Sequence, residues 1–200
     1  MDHPFFSVIM PVHNSADYMR RALDSIKEQT FTDYELIVVA DACEDNSADI
    51  AREYGAKVIE VDYHTDGLSR NAALDIATGE WILFIDSDDW FLHEFVFKQI
   101  SEMVGRHDED ILLCSFIWKG VGYASQSEHQ HYIAIWNKVW RRSFIGDTRF
   151  PEKRYWNDVE FDRDNFRKNP KCVIWDMPIY YYNYLHEGSN SWLQKQGIIE

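Results

Sequence analysis

Short apolar runs alternate with stretches of helical period along the first half of the chain. That alternation suits a largely parallel sheet covered by helices, an α/β architecture. Phe6 to Pro11 reads as a first strand, and from Ser15, an expected N-cap, the apolar residues Tyr18, Met19, Ala22, Leu23 and Ile26 recur at helical spacing. Glu35 to Ala40 reads as a second strand, Ser47 to Tyr54 as a helix closed by Gly55, and Lys57 to Asp62 as a third strand. Leu68 to Ala77 predicts a third helix, and the apolar run Trp81 to Ile85 a central strand. Phe95 to Val104 and Ile111 to Phe116 add a helix and a strand. Alternation is less regular afterwards. Gly120 to Gln130 reads as a mobile polar loop, and Ile133 to Phe144, Asp158 to Arg167, Val173 to Trp175 and Ile179 to Tyr184 as further elements packed on the first half.

Two hundred residues with 46% apolar content predict one core. The expectation is one domain over residues 1–200. A net charge of −14 argues against a nucleic-acid partner. A small phosphorylated ligand stays open, because a divalent cation and one or two arginines offset repulsion locally. Cys43, Cys114 and Cys172 are odd in number and widely spaced, which fits a reducing cytoplasm rather than a disulfide scaffold. No basic stretch followed by an apolar run opens the sequence and no segment is long and apolar enough to span a bilayer, so any membrane contact is expected to be peripheral.

Asp86, Asp88 and Asp89 follow the expected central strand directly, at its carboxyl end, where open α/β sheets bind ligands. Crowded carboxylates repel, and a divalent cation relieves this; magnesium or manganese suits oxygen ligands and completes its shell with water and substrate phosphates. The rival reading is an acidic turn that caps the next helix.

The order of these and the neighbouring motifs resembles that of the family 2 glycosyltransferases. Pro11-Val12-His13-Asn14 looks like the family's Pro-x-x-Asn turn, Val38-Val39-Ala40-Asp41 its second strand, and Gly67-Leu68-Ser69-Arg70-Asn71 its Gly-to-Arg-Asn segment. Asp86-Ser87-Asp88 fits its DxD motif, and Asn157-Asp158-Val159-Glu160-Phe161 its later Glu-Asp motif, with Asn157 in place of the usual Glu. The second strand also departs, since Ala40-Asp41-Ala42-Cys43 keeps one acidic residue where two polar ones are usual. The resemblance implies a GT-A type, Rossmann-like three-layer sandwich with a mostly parallel central sheet, in which residues 1–119 form the nucleotide-sugar-binding half and residues 120–200 the acceptor-binding half. It implies an inverting, metal-dependent enzyme that moves a sugar from a nucleotide-diphosphate donor, a UDP-sugar by expectation, to a hydroxyl of a glycan or related acceptor, as in polysaccharide biosynthesis.

Roles follow from the resemblance, each beside a plainer alternative. Pro11, His13, Asn14 and Ser87 are implied as donor contacts. Asp41 would accept from the uracil N3–H, or simply form a turn. Arg70 would reach the diphosphate, or lie on the surface. Asp86 and Asp88 would hold Mn²⁺ or Mg²⁺. Asp158 would act as general base, or belong to a capping box Asn157-x-x-Glu160. His186, with Ser189, would close over the diphosphate, or sit in a tail loop. Trp90, Trp136, Trp156 and Trp192 lie near these motifs and offer flat faces to sugars, or are core. Lys138, Arg141 and Arg142 would meet a phosphorylated acceptor, or form a solvated helix face. Two competing functions remain: a non-catalytic nucleotide-sugar or glycan-binding module, and a sugar nucleotidyltransferase, for which the first strand lacks a Gly-rich phosphate cradle.

Overall fold

The computed structural model describes residues 3–126, 133–153, 155–184 and 195–196. Strands β1 (Phe6–Val12), β2 (Tyr34–Asp41), β3 (Lys57–Val61) and β4 (Trp81–Phe84) pair in parallel, with β1 between β2 and β4. Every residue of β1 and β4 is buried, because helices cover both faces. Alternate side chains serve opposite layers: Val8, Met10, Val38 and Leu83 face one cluster, Ile9, Ile37, Val39 and Phe84 the other. The first layer is closed by α1 (Met19–Lys27), α2 (Ser47–Glu53) and α4 (Val96–Met103), the second by α3 (Asp66–Ile76) and α6 (Asn157–Phe166).

The sheet continues through β5 (Trp90–Phe91), β6 (Ile111–Trp118), β7 (Gly122–Ala124), β8 (Lys138–Arg141) and β9 (Cys172–Tyr182) in the order β3-β2-β1-β4-β8-β6-β9-β5, with β7 paired to β6. A short helix, α5 (Arg142–Ile145), follows β8. Strand β8 is antiparallel to both neighbours, which turns the sheet from parallel to mixed. At the amino ends of the parallel strands, Glu35 accepts from Ser7 Oγ at 2.6 Å, Thr78 N at 2.7 Å and Lys57 Nζ at 2.6 Å. Burial alone would raise its pKa; the donors outweigh it and hold the carboxyl down at about 2. Gly79 sits against this knot, where an added Cβ would lie 2.4 Å from Ser7 N.

Several expectations need correction. Ser15 does not cap α1: Tyr18 takes that position, while Ser15 O closes a preceding turn onto Tyr18 N and Met19 N. Helix α3 begins earlier than expected, with the Thr65 hydroxyl accepting from Leu68 N. The supposed loop from Gly120 contains β7, formed because Phe116 to Trp118 offers a free ladder edge. Val173 to Trp175 and Ile179 to Tyr184 are mostly one strand, β9, whose irregular pairing beside Cys114 and Ser115 broke the apolar pattern.

Candidate active site

The carboxyl ends of β2, β1 and β4 lie side by side, and the loops leaving them are tied into one edge. Asn14, with a positive φ of 47°, accepts from Glu44 N at 2.8 Å through Oδ1. His13 Nδ1 lies 2.7 Å from Asp41 O, and Ser15 N donates to Ser47 Oγ at 2.8 Å. Buried Pro11 ends the β1 side of this clasp. Ser15 Oγ then meets Ser87 Oγ at 3.1 Å, joining the clasp to the aspartates after β4. Tyr18, hydrogen-bonded to Ser15 and Ser87 with Asp88 nearby, belongs to the same edge; burial raises its pKa.

Asp41 is committed elsewhere than expected. Its carboxylate accepts from Tyr63 N, His64 N, Thr65 N and Ser69 Oγ at 2.7–2.9 Å. With all four of its lone-pair sites engaged, it fixes the β3–α3 loop and offers no place to a base. The turn reading holds there.

The three aspartates after β4 part ways. Asp89 turns inward, accepting from Tyr180 Oη at 2.8 Å and Asn183 N at 2.7 Å. Burial, with Asp88 and Asp86 beside it, pushes its pKa well up. Tyr180 Oη also accepts from Asp86 N at 3.0 Å, and Asn183 Nδ2 donates to Asp88 O at 3.2 Å, so the end of β9 and the residue after it hold the tip in shape. Asp88 is half-buried there. Asp86 accepts from Arg70 Nη2 at 2.6 Å. Burial, with Asp88 and Asp66 adding repulsion against the pull of Arg70, raises Asp86 to about 6.

Arg70 is the cation of this edge. Its side chain is only 6% exposed. Nη1 reaches Asn157 Oδ1 at 3.5 Å, while Nε has no hydrogen-bond partner among the described residues. Burial opposes its charge, and Asp86, Asp66 and Asp158 outweigh that, leaving its pKa raised. The surface-arginine reading is therefore wrong: α3 buries the guanidinium among carboxylates. Gly67 lets α3 approach the start of α6, since a Cβ there would lie 3.0 Å from Asn157 Cγ.

Asp158 stands in the first turn of α6, and the alternative of a capping box around it does not form. Trp156 occupies the cap position; Asn157 donates to Lys153 O at 3.2 Å and Glu160 pairs with Lys153. Burial raises the Asp158 pKa against the pull of Arg70, with Asp66 adding to the rise. One turn on, Phe161 stacks on Phe150 at 3.9 Å and buried Asp162 meets fully buried Lys138 at 3.1 Å. These contacts seat α6 on the sheet and fix where Asp158 stands.

The basic cluster is not a helix face. Lys138 is inside the fold, Arg141 Nε donates to Glu109 O and Arg142 Nε to Gly79 O. Trp90 stacks on Tyr181 and Trp136 on Tyr180, both as packing, whereas Trp156 is 62% exposed with φ 61°. His186, Ser189 and Trp192 lie outside the described residues. Sequence reasoning missed Asp66, Tyr18, Tyr180 and Asn183. Asp66 was within sight, one residue before the Gly67 to Asn71 segment; Tyr180 and Asn183 fall in a stretch that resembles the family, but being more than 90 positions from the aspartates they hold they were given no role.

Among the described residues no three His, Cys, Asp or Glu side chains gather as a metal cage. Asp86 and Asp88 fit magnesium or manganese in another way, as hard oxygen donors at an edge with excess negative charge, where such ions take one or two carboxylates and substrate phosphates.

A mixed α/β sheet with an aspartate tip at the carboxyl end of β4, an arginine from α3 and the acidic start of α6 beside it defines a GT-A type domain. A model of glycosyl transferase family 2 matches residues 7–173, and the chain belongs to that family. EpsH of Bacillus subtilis (strain 168) is 31% identical over 213 aligned positions, covering 91% of this chain and 61% of its own. The poly(ribitol-phosphate) beta-N-acetylglucosaminyltransferase TarS of Staphylococcus aureus (strain Mu50 / ATCC 700699) is 28% identical over 92% of this chain and 36% of its own. A crystal structure of S. aureus TarS 1-349 in complex with UDP-GlcNAc superposes with a TM-score of 0.82 at 25% identity, covering 93% of this chain and 60% of that one. Mannosyltransferase PcManGT from Pyrobaculum calidifontis, in complex with GDP-Man and Mn²⁺, shares the fold with a TM-score of 0.77 at 16% identity, over 97% of this chain and 61% of that one. The chain thus spans between 36% and 61% of the length of these relatives.

Proposed function

We propose that this domain transfers a sugar from a UDP-sugar to a hydroxyl of a glycan or related acceptor, inverting the anomeric configuration. Family membership supports a glycosyltransferase, and TarS, solved with UDP-GlcNAc, supports the uridine donor. The observation that carries the reading is the buried Arg70. Its guanidinium joins α3, the tip after β4 and the start of α6, and one of its nitrogens has no hydrogen-bond partner among the described residues. A buried donor left so is costly, and a ligand oxygen satisfies it.

Arg70 binds the diphosphate with charge-assisted hydrogen bonds and stabilises the negative charge that grows there as the sugar leaves. Asp86 and Asp88 would hold a magnesium or manganese ion, which when bound offsets the same charge. Asp158 takes the proton of the attacking hydroxyl on the face opposite the nucleotide. Its raised pKa brings it nearer the operating range, the usual requirement for a general base. The uracil is recognised by groups other than Asp41. The described residues include no helix long and apolar enough to cross a membrane. The three free cysteines support a cytoplasmic setting.

The test is UDP release from a panel of UDP-sugars with manganese, for the parent and for Asp158→Asn. The parent should turn donor over, and the variant should bind donor normally while losing about 10²–10⁴-fold in transfer. Tight donor binding without turnover or hydrolysis by the parent would instead identify a binding module.

A further inference from the structure

Trp156 holds a left-handed backbone conformation, φ 61° and ψ 18°, directly before the Asn157 that contacts Arg70 and the Asp158 proposed as base. Glycine and asparagine occupy that region readily, whereas a bulky side chain there is an outlier. The indole gains little packing in return, for it is 62% exposed, more than any other described tryptophan. Trp90 and Trp136 stack on tyrosines, and Trp81 and Trp140 are fully buried. Folding does not account for an exposed ring in a strained cap, and such strain concentrates at ligand clamps and active sites.

We infer that Trp156 is the platform on which a pyranose ring of the acceptor lies, its C–H face against the indole, so that a ring hydroxyl points at Asp158. The inference rests on the transferase reading above and narrows its acceptor to a ring sugar rather than an open-chain polyol. An indole suits this role because its apolar face accepts C–H groups without competing for the hydroxyls, and its few rotatable bonds lose little entropy on binding. The platform belongs to the acceptor side because Trp156 directly precedes the base, whereas the donor diphosphate is read by Arg70 and the tip after β4.

Three proteins are compared, the parent, Trp156→Gly and Trp156→Phe, each saturated with UDP and Mg²⁺. Binding is read by saturation-transfer NMR with methyl glucoside, galactoside, mannoside and N-acetylglucosaminide, and with ribitol. At least one pyranoside should bind the parent through its ring C–H protons, ribitol should not, Trp156→Gly should weaken that binding about tenfold, and Trp156→Phe should keep most of it. UDP affinity should be unchanged in both variants. Glycine removes the left-handed strain, so Trp156→Gly should melt at the same temperature as the parent or up to about 4 °C higher. The platform is refuted if no pyranoside binds a parent that still binds UDP, if Trp156→Gly binds the pyranoside as well as the parent does, or if its melting temperature falls markedly. Failure of the parent to bind UDP at all would instead remove the transferase reading beneath it.

Discussion

Asp66 is within electrostatic reach of Arg70, Asp86 and Asp158 at once, and it raises the pKa of both carboxylates. A general base must be ionised to work, so transfer should increase with pH along an acid limb set by Asp158 and by Asp86, which releases its proton at about 6. Burial and Asp66 put that limb above the ordinary aspartate range of about 4. Asp66→Asn removes a like charge, lowers both pKa values and should move the limb to lower pH. Arg70→Met removes the opposing charge and should move it to higher pH while weakening donor binding. The measurement is kcat/KM against pH; a limb that stays put in Asp66→Asn would show that Asp66 is too well solvated to matter. Arg70→Lys should recover little, because an ammonium cannot reproduce the fork that spans Asp86 and Asn157.

Among the elements, α6 carries Asp158 and is fastened by Phe161 and by the Lys138–Asp162 pair, both members buried. Lys138→Met should therefore cost about 3–5 kcal/mol in urea unfolding, because it strands Asp162 as a buried charge, while Lys138→Met with Asp162→Leu should regain much of it. The amino ends of the strands depend on Glu35 in the opposite electrostatic sense. Its folded pKa of about 2 lies below the value of about 4.3 for an unfolded chain, so its contribution is present above pH 4.3 and is lost as pH falls towards 2. Glu35→Gln should lower stability at neutral pH by about 1–3 kcal/mol and flatten the acid limb of the urea midpoint. The parallel half of this framework was legible because β1, β2 and β4 are buried on both faces and carry unbroken apolar runs. The mixed half was not. There β9 alternates exposed and half-buried residues as far as Asp176, and the residue that orders the tip, Tyr180, is recruited across the sheet. The order of motifs along the chain singles out Arg70, Asp86 and Asp158, which the fold gathers at one edge, whereas it points Asp41 at a base although the Asp41 oxygens close a local loop. One-dimensional spacing finds strand ends; it does not show which way a carboxylate turns.

For the whole molecule, charge decides how the donor is admitted. The chain carries −14, and at the edge of the sheet Asp66, Asp86, Asp88 and Asp158 share the neighbourhood of Arg70, into which a diphosphate brings further negative charge. One guanidinium does not balance that, so affinity for UDP should depend on a divalent cation and the two should bind with positive coupling. A ligand present at about 100 times its Kd stabilises the native state by about 2.7 kcal/mol, which for a chain of this size is a rise of roughly 5–10 °C in Tm. UDP with Mn²⁺ should give a rise of that order, and UDP with a chelator should give far less. In Asp88→Ala the two conditions should become alike. Equal protection by UDP with and without the cation in the parent would mean that Arg70 alone carries the diphosphate. The aspartate tip would then be shaping the loop between β4 and β5 for the sugar rather than holding a metal.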